Sequence, residues 1–272
     1  MSATDNNDLQ VGRFKIRWRS YGGRKDGNFP IVCVSGAYQT MGAWKSFISH
    51  FRPFTQIVTF DMPGLGGARI IDGGTDISLR EKSEILSAVI DHAAQGRVNI
   101  FAASWGGAVS SMYASLYPER VEKLVLASFG LRANDEMKNV IRMVKRHIAD
   151  GTYRSISGIV QSSFGRRLPS GMKRNLDIQF QQADTDGMRQ LYEHLSWCET
   201  ADLMSDIEFS RIRAATHILN GTDDEIIDFD TLASLEAIIP DCTRSVVSEY
   251  GHFLHFENPA LLRRYQGILG CE

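Results

Sequence analysis

The apolar positions of this chain fall into two alternating rhythms. Short, nearly continuous apolar runs recur at Ile31–Val34, Gln56–Phe60, Val98–Ala103, Val121–Leu126 and Thr216–Asn220. Such runs are expected of strands covered on both faces, where neither side of the pleat meets water. A further strand is predicted around Gly12–Arg19, and another at Arg244–Ser248. Between the runs lie segments of helical period. Ile85, Leu86, Val89 and Ile90 share one face of a predicted helix from about Ser78 to Ala94. Others are predicted over Trp105–Leu116, near Asp230–Ile239, and after Asn258, which is placed to cap a helix with Pro259 in its first turn. Alternating strands and helices predict an α/β fold with a parallel sheet and right-handed crossovers.

The alternation stops after about Leu131. Up to the strand at Thr216 the patterning is helical only. Met137, Val140, Ile141, Val144 and Ile148 form one apolar face, and Ser155–Phe164 and Met188–Trp197 read as further helices. The expected organisation is therefore a core of residues 1–130 and 209–272, with a helical insertion of residues 131–208.

Composition narrows the function classes. The 30 Lys and Arg against 32 Asp and Glu leave a net charge of −2, which gives no general attraction to nucleic acid or an anionic membrane. No uninterrupted apolar stretch is long enough to span a bilayer. The first ten residues are polar and acidic, unlike a secretory signal. Cys33, Cys198, Cys242 and Cys271 show neither CxxC spacing nor disulfide-framework density. A cytoplasmic, reduced protein without metal or cofactor is expected.

Candidate chemistry centres on Ser104. It lies between Ala103 and Trp105, with Ala102 and Gly106 beyond them, where an apolar strand turns into a helix. A serine in so tight a turn needs small neighbours, and the turn presents its hydroxyl at the end of a strand. The hydroxyl is a weak nucleophile at neutral pH. It requires a base, and the base requires a partner that holds its tautomer. Two strand ends supply both. Gly221-Thr222-Asp223-Asp224-Glu225 carries three carboxylates, and Gly251-His252 follows the last predicted strand. Asp61 reads as a turn-capping residue, His217 as a strand histidine, and Gly64 and Gly66 as loop formers without the lysine of a phosphate-binding loop.

Together these motifs resemble the α/β-hydrolase superfamily over almost the whole chain. Asp61-x-Pro63-Gly64-x-Gly66, the Ser104 turn, Pro118-x-Arg120-Val121-x-x-Leu124-Val125-Leu126, Gly221-x-x-Asp224 and Gly251-His252 occur in that family's order. The resemblance implies a mostly parallel sheet flanked by helices, with the insertion as a lid. It implies Ser104 as nucleophile, Asp224 rather than Asp223 as acid, and His252 as base, His255 being a packing or supporting residue. The oxyanion is then bound by the backbone N–H of Trp105 and of Ala37 in the loop Ser35-Gly36-Ala37.

A closer similarity is to the RhlA/PhaG group. It comprises synthases of 3-(3-hydroxyalkanoyloxy)alkanoic acids and 3-hydroxyacyl-carrier-protein transacylases or thioesterases. Ser104-Trp105-Gly106-Gly107, Ser163–Pro169, His194, Ile218–Glu225 and Gly251–Leu254 carry this similarity. It implies acyl transfer or thioester hydrolysis on 3-hydroxyacyl groups borne by an acyl carrier protein or coenzyme A. A general carboxylester or carbon–carbon bond hydrolase uses the same three residues, and a non-enzymatic ligand receptor is a third class for this fold. In the insertion, Met137, Met143, Val144, Ile148, Phe164, Met172, Phe180 and Met188 are candidates for an acyl channel or for packing helix on helix. Arg166, Arg167, Lys173 and Arg174 form a basic cluster suited either to a carrier protein or coenzyme A, or to a solvated face. His194 is a candidate to bind a 3-hydroxyl or orient an acceptor, or is structural.

Overall fold

A computed structural model describes residues 5–271. Among the described residues nine strands form one sheet: β1 (Asp5–Val11), β2 (Phe14–Tyr21), β3 (Ile31–Val34), β4 (Ile57–Phe60), β5 (Arg69–Ile70), β6 (Val98–Ala103), β7 (Val121–Ala127), β8 (Ala215–Gly221) and β9 (Cys242–Val247). Their order is β1-β2-β4-β3-β6-β7-β8-β9, with β5 beside β2. From β4 to β9 every pairing is parallel, and only the β1, β2 and β5 edge is antiparallel.

The continuous apolar runs follow from coverage on both faces. Val32, Val34, Ile100, Ala102, Leu124, Leu126 and Ile218 point to one side, where α2 (Leu79–Ala93) and α3 (Gly106–Leu116) pack. The alternate positions Ile31, Cys33, Phe101, Val125 and Leu219 point to the other, against α1 (Lys45–Phe51) and α10 (Leu261–Leu269). Helix α2 begins as its sequence dictates. Ser78 accepts the Glu81 N–H and Glu81 returns to the Ser78 N–H, a capping box. Helix α10 starts later than the Asn258-Pro259 signal suggests. Asn258 accepts the Ala260 N–H in the turn just before it.

The chain leaves the sheet after β7 and re-enters it at β8. In between run α4 (Asp135–Ala149), α5 (Arg154–Ser163), α6 (Ser170–Gln181), α7 (Thr185–Thr200) and the short α8 (Leu203–Asp206). α4, α5 and α7, with Phe180 of α6, share an apolar core of their own, containing Val140, Ile141, Ile156, Met188 and Leu191. Between β8 and β9 runs α9 (Phe229–Ile238). Among the described residues no helix is long and apolar enough to cross a membrane.

Candidate active site

The end of β6 places Ser104 in left-handed backbone, at φ +51°. A non-glycine residue pays strain there, which the surroundings must over-determine. They do so by close approach. A Cβ on Gly106 would lie 2.5 Å from the Val34 carbonyl oxygen, and one on Gly107 2.4 Å from the Phe129 ring. Two glycines thus let α3 start hard against β3 and hold the turn. The Ser104 N–H donates to the Ala127 carbonyl at 2.7 Å, tying the turn to β7.

The acid loop leaves β8 at Gly221, where a Cβ would sit 2.1 Å from the Tyr250 carbonyl oxygen. That contact draws the 250–252 loop onto the 221–224 turn. His252 Nδ1 lies 2.8 Å from Asp224 Oδ2, and His252 Nε2 lies 2.9 Å from Ser104 Oγ. Three residues spread over 148 positions of the chain form one hydrogen-bonded line, with Asp224 and His252 both buried. Asp223 is elsewhere: its exposed carboxylate is bound by Thr222 and Arg167, which hold it below the usual range.

Two supports were not singled out by the sequence. Glu257 accepts the N–H groups on both sides of the histidine, from Gly251 at 2.8 Å and Phe253 at 3.0 Å. Ser128 donates its hydroxyl to the His252 carbonyl. The only hint for Glu257 is a carboxylate within one short turn of the Gly-His pair; Ser128, at the exit of β7, carries none. His255 points away from the line into the core. It is buried in an aromatic nest with Trp44, Phe101, Phe256 and Tyr265, and burial lowers its pKa to about 3.

A cavity with mainly apolar walls opens on Ser104 and His252. Its walls are Met137, Val140, Val144, Phe164, Leu176, Phe180 and neighbours. Phe164 sets its ring edge-on to His252, 5.3 Å between centroids. Met137, Val144, Phe164 and Phe180 therefore line it. Met143 does not: at 51% exposure it lies on the outer side of α4, one step round from Val144. Ile148 and Met188 belong to the insertion's own core, and Met172 is half-buried away from the cavity.

Ala37 and Trp105 flank the serine. Their backbone N–H groups have no acceptor among the described residues; Ala37 lines the cavity that opens on Ser104, and Trp105 lines a cleft that also borders Ser104. Behind Trp105 sits a polar cluster. His194 meets the Trp105 ring at 4.5 Å, and Cys198 Sγ lies 3.4 Å from His194 Nε2. Burial, reinforced by Lys82, pushes the His194 pKa down to about 3, so the ring is neutral. Burial also pushes the Cys198 thiol up to about 12. His194 is thus brought to Trp105 but lines a different chamber from Ser104.

Three of the four basic residues are already engaged, and Arg174 is exposed. Arg166 pairs with Glu225 and Arg167 with Asp223, while Lys173 donates to the Arg166 carbonyl. The two arginines are spent on pinning the α5–α6 connection to the acid loop, because that loop happens to carry two carboxylates at the same edge. Among the described residues no group of His, Cys, Asp and Glu is placed to hold a metal ion.

A helix-flanked, mostly parallel sheet with a serine on the strand–helix turn after β6 defines a class. Residues 30–259 match the alpha/beta hydrolase fold, and the chain belongs to that family. Within it, the chain is similar to the (R)-3-hydroxydecanoyl-ACP:CoA transacylase of Pseudomonas putida, with 23% identity over 88% of this chain and 81% of the relative. It is also 24% identical to the poly(3-hydroxyalkanoate) depolymerase of Ectopseudomonas oleovorans, over 82% of this chain and 77% of that one. Among solved structures, an alpha/beta hydrolase enzyme from a Medee basin deep-sea metagenome library superposes with a TM-score of 0.82. Its identity is 16%, and 97% of each chain is covered. The family and its enzyme-named relatives mark the protein as an enzyme.

Proposed function

We propose that the protein is a serine acyltransferase or thioesterase acting on 3-hydroxyacyl thioesters. The observation that carries this reading is the line Ser104–His252–Asp224 at the mouth of a large apolar cavity. Ser104 Oγ attacks the thioester carbonyl as His252 Nε2 takes its proton. The N–H groups of Ala37 and Trp105 receive the oxyanion. The C–S bond breaks, the thiolate leaves with the proton from His252, and the acyl group stays on Ser104. An acceptor hydroxyl, thiol or water then attacks this ester. Its proton passes to His252 and on to Ser104 Oγ.

The acyl chain lies along the apolar wall of α4–α6, with residues 131–208 acting as a lid over it. Phe164 packs edge-on against His252, and exclusion of water at that point would favour transfer over hydrolysis. The named transacylase relative supports a carrier-protein or coenzyme A thioester as donor. A second reading is ester hydrolysis, and the similarity to a polyester depolymerase favours it.

Incubation with a 3-hydroxydecanoyl thioester followed by mass spectrometry separates these readings. An ester joining two 3-hydroxyacyl groups, or acyl transfer to an added thiol, is the expected result; free acid alone means hydrolysis. Ser104→Ala should reduce turnover by several orders of magnitude and abolish labelling by a fluorophosphonate, with the fold retained. Activity above a few per cent of wild type would remove Ser104 from its role.

A further inference from the structure

A second chamber shares Gly36, Ala37, Tyr38 and Leu191 with the acyl cavity and is lined by Trp105. Ala37, Trp105 and Leu191 border it, and α7 and the loops around Met62–Leu65 and Thr75–Ile77 enclose it. Buried Asp61 shapes one of those loops, accepting the N–H groups of Met41 at 2.7 Å and Gly67 at 2.9 Å. Unlike the acyl cavity, this chamber has charged side chains in its lining: Lys82 and Glu193, which do not meet, and the exposed Asp76, which adds a second negative charge. Lys82 Nζ stands 4.5 Å above the Trp105 ring and makes no ion pair among the described residues. Burial pulls its pKa down to about 8, which leaves it protonated at neutral pH. Glu193 takes the Thr75 hydroxyl on Oε1 at 2.7 Å, but its buried Oε2 has no partner among the described residues.

This pair selects a chemistry. A bare hydrocarbon would leave a buried carboxylate oxygen and an ammonium without partners, which is costly. An anion would meet Lys82 but also Glu193, so the chamber offers no net positive field. A neutral group with an acceptor on one edge and a donor on the other satisfies both, and an amide has that form. We propose that the chamber receives an amide-bearing arm of the acyl donor, Lys82 donating to an amide carbonyl and Glu193 Oε2 accepting an amide N–H. The position suits a leaving group: Ala37 and Trp105, whose N–H groups are assigned to the oxyanion, both line the chamber, and Ala37 lines the acyl cavity as well. The assignment rests on the thioester reading above. Coenzyme A and an acyl carrier protein present the same arm, a chain with two amides.

The test uses 3-hydroxydecanoyl thioesters that differ only in the thiol: S-ethyl with no amide, N-acetylcysteamine with one, then coenzyme A and acyl carrier protein. For the wild type, kcat/KM should be roughly tenfold or more higher for N-acetylcysteamine than for S-ethyl, as expected of a charge-assisted hydrogen bond. In Glu193→Gln and Lys82→Met that ratio should fall toward one, and kcat/KM for both natural donors should fall with it. Whichever natural donor is the better wild-type substrate identifies the source of the arm. A wild-type ratio near one, or a ratio unchanged in both variants, overturns the assignment while leaving the thioester reading intact. Failure to turn over any thioester, with a nitrophenyl ester still cleaved, overturns that reading and the donor-arm role with it.

Discussion

Asp223 and Asp224 are chemically identical neighbours with opposite surroundings. Asp224 is 1% exposed and holds His252 Nδ1, whereas Asp223 is exposed and paired with Arg167. Asp224→Asn should therefore lower kcat severely, by roughly four orders of magnitude, because an amide there favours the wrong imidazole tautomer. Asp223→Asn should change it only a few-fold. Steady-state kinetics on one thioester checks both, and reversed effects would move the acid by one residue. Glu257 makes a subtler case. It touches no reacting atom, yet it holds the backbone on both sides of His252. Glu257→Gln should lower kcat roughly tenfold to a hundredfold at nearly constant KM, since small misplacements of a base are costly. The fluorophosphonate labelling rate should fall in parallel. A change in KM alone would count against this positioning role.

At the scale of elements, the α5–α6 connection and the acid loop form one clamp through Arg166–Glu225 and Arg167–Asp223. Exposed pairs of this kind contribute only about 0–1 kcal/mol each, so neutralising one arginine should barely shift the melting temperature. Reversing both charges is different, because it sets like charges against each other beside His252. Arg166→Glu with Arg167→Glu should lower kcat/KM on a carrier thioester and on a neutral nitrophenyl ester alike, as the insertion is pushed off the site. Loss confined to the carrier thioester would instead restore the arginines as a docking surface. Helix α3 shows the same dependence between elements: Gly106 and Gly107 matter because β3 and Phe129 press against them, not for any preference within the helix.

At the scale of the whole molecule, folding buries histidines as neutral rings. His255 has no hydrogen-bond partner for either ring nitrogen among the described residues, and its pKa is about 3. Above about pH 6.5 both folded and unfolded chains carry this ring neutral, so it has no effect on stability. As pH falls from there toward 3, only the unfolded chain takes up the proton, and stability drops by about 1.4 kcal/mol per pH unit. His194 and His217 are lowered too and act in the same direction. Urea midpoints measured at a series of acid pH values should fall steadily for the wild type. His255→Phe, which keeps an aromatic ring in the nest, should flatten that fall; an unchanged slope would mean that the ring is not buried neutral.

Much was legible in the linear chain because it depends on local chemistry. Continuous apolar runs follow from a sheet covered on both faces, so β3, β4, β6, β7 and β8 stood out by pattern. The start of α2 near Ser78 and the Ser104 turn are likewise set by near neighbours. Where burial is partial, the pattern fades. β1 is a polar edge strand held by backbone pairing to β2, with Asp8 bridging Lys15 and Arg17 across the pair; among its described side chains Leu9 and Val11 reach the core. α6 buries Phe180 alone completely and showed no strong stripe. The candidate site divides in the same way. Small residues around a serine, and a histidine or carboxylate after a strand end, are visible in order along the chain. Which carboxylate reaches the histidine, that Met143 faces out, that Arg166 and Arg167 are already paired, and that Lys82 and Glu193 share a chamber with Trp105 depend on contacts between distant segments. Only the packed tertiary structure decides those, because burial and distance are properties of the assembled chain and not of any stretch of it.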